Sequence, residues 1–260
     1  MNGLWSAPLA WVGRSALELS AGFGRFGRFT ASAVRALSDT GTWGRQLIEQ
    51  MARLGVESIP IAVFIAAFTG IVLALQASYT FTGAVPLYFV GALVAKTMIL
   101  ELGPVLTGLA LAGRVGANIA SEIGTMRVTE QIDALETLAY DPVAYLVVPR
   151  VLAGVVMFPI VVAFADAVGI AAGWITSINL LDLSTPEFVR GVRLFFDTFD
   201  VRYSLVKATS FGLVVTLVGC FSGFGAAGGA AAVGRATTQA VVLSSMLILV
   251  LDAFWAAVLL

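Results

Sequence analysis

Five long apolar stretches constrain the fold of this chain more than any other feature. Each has about 20 or more mostly apolar residues, the length that an α-helix needs to cross the hydrocarbon core of a bilayer. The predicted spans cover residues 57–81, 86–120, 149–180, 203–224 and 237–260. We therefore predict an all-α polytopic membrane protein with about five transmembrane helices. The second stretch is too long for a simple span, and we expect Pro104 to break or kink it.

The composition excludes an ordinary soluble domain. Hydrophobic residues make up 59% of the 260 residues and charged residues only 12%, whereas a soluble domain is about 25% charged. The sequence has no histidine, so histidine bases, Ser-His-Asp triads and histidine-ligated metals are excluded. The net charge of −1 gives no indication of nucleic-acid binding.

The arginines predict an orientation in the membrane. Most arginines outside the spans fall on the N-terminal side, and Arg190, Arg193 and Arg202 fall on the other side. Because cytoplasmic loops carry an excess of Lys and Arg, we expect a cytoplasmic N-terminus and a periplasmic C-terminus.

Two amphipathic segments lie outside the predicted spans. Residues 1–55 are predicted to form an N-terminal interfacial region, with a mobile tail as the alternative, and residues 56–260 form the transmembrane domain. In the periplasmic loop 181–202, we expect Thr185 to cap a helix with Pro186 at its first position. One face of this helix would lie in the outer interface or dock an outside partner. The apolar residues of that face are Phe188, Val192, Phe195, Phe196 and Phe199.

Charged residues inside spans are candidates for function, because each costs at least a few kcal/mol at the bilayer centre. These residues are Lys96, Glu101, Arg114, Asp166, Lys207 and Asp252. Lys207 and Asp252 are expected at similar depths, close enough to pair. The pair either lines a cavity that meets a polar headgroup or locks two helices together, and the sequence favours neither.

Three further patterns have a structural interpretation. Small residues recur every four positions in the first span, which predicts close helix packing. The run 223–228 matches G-x-G-x-x-G, but without a preceding strand it indicates a turn and not a nucleotide site. The polar segment 121–148 contains a predicted helix at 129–139, which is either a docking helix or a solvated connector.

Several motifs of this chain closely resemble the MlaE (YrbE) family of ABC-transporter permeases over about residues 57–260. They are the runs ELGPVLT at 101–107, AGRVGA at 112–117, EIGTMRVTEQIDAL at 122–135 and VGRATT at 233–238. The resemblance implies a permease subunit, not itself an enzyme, that moves phospholipids between the inner membrane and the outer envelope and maintains outer-membrane lipid asymmetry.

The resemblance also implies partners and site residues. The partners are a second copy of the chain, MlaF-like cytoplasmic ATPase subunits, an MlaD-like periplasmic MCE-domain protein and an MlaB-like STAS-domain subunit. The chain itself would bind no cofactor, and its partner ATPase would use ATP and Mg²⁺. The residues near the lipid path are Glu101, Lys207, Arg235 and Asp252. The residues of the coupling helix that contacts the ATPase are Glu122, Arg127, Glu130, Asp133 and Leu135. Many family members have a basic residue where this chain has Leu100.

Two other functions remain open. One is an ion- or proton-coupled carrier that uses Glu101, Asp166 and Asp252, although no inverted repeat is visible. The other is a membrane scaffold that anchors envelope proteins without transporting anything.

Overall fold

The computed structural model describes residues 6–81, 86–181 and 183–259, and the side chains from residue 17 onward except those of residues 18 and 19. Within these residues the chain forms eleven α-helices and no strand. The helices are α1 (Ser6–Ala36), α2 (Thr40–Leu54), α3 (Ile59–Thr80), α4 (Phe89–Thr97), α5 (Gly103–Leu111), α6 (Ala117–Val128), α7 (Gln131–Thr137), α8 (Val148–Leu180), α9 (Thr185–Phe195), α10 (Thr198–Phe224) and α11 (Ala230–Leu259).

Five helical stretches are long and apolar enough to cross a membrane, which confirms the predicted fold class. They are Thr40–Thr80, Phe89–Val128, Val143–Leu180, Thr198–Phe224 and Ala230–Leu259. All five begin at least three residues from the predicted start. The first runs back through α2 into the predicted interfacial region, and the third and fifth begin six and seven residues early because the helices extend beyond their apolar windows.

The second stretch remains helical through Pro104, so of the expected break or kink the structure excludes the break. A π-helical turn, Met98–Leu102, precedes Pro104, and a second one, Ala112–Gly116, lies further along. Proline has no N–H and cannot donate to the carbonyl four residues earlier. The wider π turn accommodates the proline while the chain remains helical.

Close approach of α3 to α8 forms the centre of the molecule. The small residues Ala62, Ala66, Gly70 and Ala74 are buried on this face, as their spacing predicts. A Cβ atom added to Gly70 would lie 1.9 Å from the carbonyl oxygen of Gly169 on α8. Only a residue without a side chain fits this crossing.

We expect Gly70→Ala to destabilise the protein by about 1–3 kcal/mol or more, because the added methyl group meets backbone and cannot be accommodated by a rotamer change. Gly113→Ala is the matched control, since a Cβ there meets nothing within 4 Å. Thermal unfolding of both variants in detergent measures the difference. Equal melting temperatures would show that α3 and α8 do not pack as described.

The amphipathic helix α9 differs from its prediction in two ways. Its N-cap is Ser184 and not Thr185, and the backbone N–H and hydroxyl of Ser184 both donate to the Glu187 carboxylate, at 3.0 and 2.5 Å. These hydrogen bonds, first that of the hydroxyl, hold the pKa of Glu187 below its usual range. Phe188 is buried and Val192 half-buried, whereas Phe195 is exposed, so the predicted apolar face is divided between protein and surroundings.

The N-terminal helix α1 forms part of the predicted interfacial region, residues 1–55. Phe26 and Phe29 pack edge-on against Phe221 at the end of α10, with ring centroids 5.2 and 5.6 Å apart. Leu17 and Phe23 are exposed. The side chains before residue 17 lie outside the described part, and an interfacial location for α1 stays a prediction.

Candidate functional site

Lys207 lies at the centre of a charged cluster inside the spans. Its Nζ is 2.9 Å from Oε2 of Glu101 and 2.5 Å from Oδ1 of Asp252. We call Glu101, Lys207 and Asp252 the charged cluster. Three separate spans contribute one residue each, so the cluster joins the π turn before α5 to α10 and α11. The predicted pair of Lys207 with Asp252 is confirmed, and Glu101 is added to it.

The backbone explains why the lysine is held at this place. Because Pro104 has no N–H, the carbonyl of Leu100 lacks the α-helical donor four residues later. The Nζ of Lys207 donates to that carbonyl at 2.9 Å. Sequence reasoning missed this contact, although the proline four residues after Leu100 signals a free carbonyl. The Lys207 ammonium thus neutralises the charge of two carboxylates and also donates a hydrogen bond to the Leu100 carbonyl.

Burial in the cluster is uneven, and this determines which charge is accessible. The Lys207 side chain is fully buried, whereas the side chains of Glu101 and Asp252 are 40% and 21% exposed. The Tyr203 ring lies beneath the ammonium, with Nζ 4.8 Å from the ring centroid. The more accessible residues are therefore the acidic ones, chiefly Glu101, since Oδ1 of Asp252 is buried. Carboxylates accept hydrogen bonds from an ammonium or hydroxyl group. The lysine becomes available to an anion only if a carboxylate moves away.

Asp166 on α8 lies beside this cluster but is not joined to it. Its Oδ2 accepts a hydrogen bond of 3.2 Å from Ser204, one turn before Lys207 on α10. Its Oδ1 has no hydrogen-bond partner among the described atoms. A Cβ at Gly103 would lie 1.6 Å from this oxygen, so the missing side chain at Gly103 makes room for the carboxyl group.

Arg235 is not part of the charged cluster, unlike its expected neighbours. It is exposed near the beginning of α11, and the helical rise places it about 25 Å along this helix from Asp252. It lines a separate open depression of about 800 Å³ with Gln239 and Met246. A place for Arg235 near the lipid path stays a prediction, at a position separate from the charged cluster.

At the other end of the molecule, Glu122 joins three helices. Its Oε2 is 2.9 Å from the guanidinium of Arg150, and its Oε1 is 3.6 Å from that of Arg53. Arg150 is almost fully buried and also donates to the Leu146 carbonyl at 2.7 Å. Glu122 thus ties α6 to α8 and α2. It does so through partners that sequence reasoning did not associate with it.

The remaining predicted coupling residues lie around α7. Arg127 at the end of α6 donates to Asp133 at 2.6 Å. Ile132 is buried and Leu135 half-buried, while Glu130 is exposed in the left-handed backbone region with φ of 61°. The predicted helix at 129–139 is shorter, Gln131–Thr137. An ion pair and a buried isoleucine therefore fix α7 against α6.

We expect Glu122→Gln to lower the free energy of unfolding, because it leaves the buried Arg150 without its carboxylate. Losing one partner of a buried ion pair costs about 3–5 kcal/mol, and the 43% exposure of Glu122 reduces this loss. Glu136→Gln is the control, since Glu136 is exposed and has no ion pair within the described residues. Chemical denaturation of both variants provides the comparison, and equal midpoints would contradict the tie.

Comparison with known proteins identifies the class. A family model described as permease MlaE matches residues 47–258. A probable ABC transporter permease protein of Rickettsia prowazekii is 39% identical over 239 residues, which is 92% of each chain. The intermembrane phospholipid transport system permease protein MlaE of Haemophilus influenzae is 33% identical over 207 residues, or 79% of each chain. The chloroplastic protein trigalactosyldiacylglycerol 1 of Arabidopsis thaliana is 31% identical over 208 residues, 80% of this chain and 59% of its own length.

The helical fold and these matches define a polytopic permease of the ABC-transporter class. More narrowly, the chain belongs to the MlaE permease family.

Proposed function

We propose that this chain is the permease subunit of an ATP-driven transporter that moves phospholipids between the inner membrane and the outer envelope, maintaining outer-membrane lipid asymmetry. The observation that carries the proposal is the charged cluster, because it sets accessible carboxylates among apolar spans. Acyl chains favour apolar walls, and a headgroup needs polar contacts. The phospholipid transport named for the Haemophilus influenzae relative supports the same cargo.

A second copy of the chain completes the proposed transport path. In the most apolar part of α11 only 11% of the residues are buried, against 61% in that of α10. The exposed side chains of α11 include Val242, Met246 and Val250. Such a surface suits either lipid or a symmetry-related helix. In the proposed dimer the two α11 helices face each other across the path. An MlaD-like MCE-domain protein covers its periplasmic end.

The energy source in this proposal is external. ATP and Mg²⁺ are bound by MlaF-like subunits on the cytoplasmic side, with an MlaB-like STAS-domain subunit as a further partner, and this chain binds no cofactor. The helix α7 contacts the ATPase and passes its motion through α6 to the spans. The proposed orientation has a cytoplasmic N-terminus and a periplasmic C-terminus, as the arginine distribution favours.

The test is lipid transfer by the reconstituted complex. Proteoliposomes containing this chain, the ATPase and the MCE-domain protein are loaded with a fluorescent phospholipid, and transfer is followed with and without ATP. We expect transfer only with hydrolysable ATP. Transfer that survives ATP depletion and stops when the proton gradient collapses would support the carrier instead. Intact partner binding with no lipid movement would support the scaffold.

A further inference from the structure

The helix α9 carries a groove that the proposed transport path does not use. The groove has a volume of about 490 Å³ and is lined by Pro186, Val189, Arg190, Arg193 and Leu194. Its lining thus combines two guanidinium groups with an apolar wall. No described acidic side chain lies within ion-pair distance of either arginine, and Glu187 is engaged by Ser184.

The groove is held in a fixed position by glycine contacts between α9 and α4. A Cβ at Gly191 would lie 1.8 Å from the Tyr88 carbonyl oxygen, and one at Gly91 would lie 2.3 Å from that of Phe188. The guanidinium of Arg190 lies over the Tyr88 ring, 5.2 Å from its centroid. Arg193 follows three residues later, on the same side of the helix. The backbone positions of both arginines are therefore fixed, and the Tyr88 ring also holds the guanidinium of Arg190.

The position of α9 in the chain places the groove at the boundary of the membrane. Short connections join it to the end of α8 and the start of α10, both of which belong to membrane-crossing stretches. The helix must therefore lie at the membrane boundary. The adjoining side chains of Leu194, Phe195, Phe196 and Phe199 are 41–56% exposed, which suits contact with acyl chains and the interfacial zone.

We propose that this groove binds an anionic phospholipid of the adjacent leaflet, with its phosphate between Arg190 and Arg193 and an acyl chain along Val189 and Leu194. Guanidinium groups form paired, charge-assisted hydrogen bonds with phosphate oxygens. The uncompensated positive charge favours an anionic over a zwitterionic headgroup. A phospholipid matches both kinds of lining, and the position of α9 at the membrane boundary favours it over a protein partner. The site goes beyond the proposed transport activity, and its binding needs no ATP.

The test is lipid binding to the purified full chain, measured by native mass spectrometry after delipidation. Phosphatidylglycerol is titrated against the wild-type chain and R190Q/R193Q. We expect the apparent Kd of the tightest site to be about tenfold higher, or more, in the double variant. R202Q removes one exposed arginine of α10 outside the groove and is expected to bind as the wild type. Unchanged affinity of the double variant would overturn the proposal.

A ligand-side comparison needs no variant and still tests the need for a phosphate if R190Q/R193Q fails to fold. Diacylglycerol with the same acyl chains has no phosphate, and we expect the wild-type chain to bind it about tenfold more weakly than phosphatidylglycerol. Added salt should weaken only the phosphatidylglycerol binding. Equal affinities for diacylglycerol and phosphatidylglycerol would overturn the site. So would an R190Q/R193Q variant that no longer binds the MCE-domain protein but still binds phosphatidylglycerol. Failure of ATP-driven transfer would leave these binding results intact.

Discussion

Lys207→Met is expected to lower ATP-driven phospholipid transfer about tenfold or more. Methionine retains the apolar stem but removes the charge that compensates Glu101, Asp252 and the Leu100 carbonyl. Two carboxylates then lie close together without a cation, and one backbone oxygen loses its donor. We also expect lower thermal stability, measured in detergent, and slower transfer, measured in proteoliposomes of equal protein content.

A charge-free version of the cluster separates the two roles that the sequence leaves open. K207M/E101Q/D252N removes all three charges, so most of the stability lost in K207M should return. If the cluster handles a headgroup, transfer stays low; if it only locks helices, transfer returns with stability. Lys96→Met is the matched control, because Lys96 pairs with Asp200 at 2.7 Å and takes no part in the cluster. We expect it to affect stability more than transfer.

The number and order of spans follow from the sequence because they depend on local hydrophobicity. The pairing of Lys207 with Asp252 also follows, since helical rise fixes the depth of each residue in its own span. The same arithmetic places Arg235 about 25 Å from Asp252 along α11. The proline at 104 likewise indicates that the Leu100 carbonyl lacks the N–H donor four residues later. These features have a signal in the sequence because the depth of a residue and the loss of a backbone donor each depend on the geometry of one helix.

Other parts of the site depend on packing between helices and have no local signal. The partners of Glu122 are an example, because Arg150 becomes buried only when α8 packs beside α6. The division of the α9 face is another, since Phe188 is fully buried, whereas Phe195 contacts the Phe89 ring of α4, with centroids 5.4 Å apart, and remains 43% exposed. A hydrophobic pattern predicts that a face is apolar. It does not distinguish a neighbouring helix from a lipid as its contact.

Asp133→Arg is expected to uncouple the transporter by reversing the charge that Arg127 binds. The pair at 2.6 Å holds α7 against α6, and we propose that ATPase motion enters through α7. With two like charges in this place, α7 should shift relative to α6, and lipid-stimulated ATP hydrolysis and transfer should fall several-fold. Both rates are measured on the assembled complex, whose stoichiometry is checked by native mass spectrometry.

The charge-swapped variant R127D/D133R decides whether the pair itself matters. It restores opposite charges at the same two positions, so activity should recover if α7 works through its attachment to α6. Recovery is not expected if Asp133 binds the ATPase directly, because the new arginine would still face that partner. A single D133R variant that retains assembly, ATP hydrolysis and transfer would remove α7 as the entry point. Force would then have to reach the spans at another place, and the Glu122 tie between α6, α8 and α2 is the next candidate.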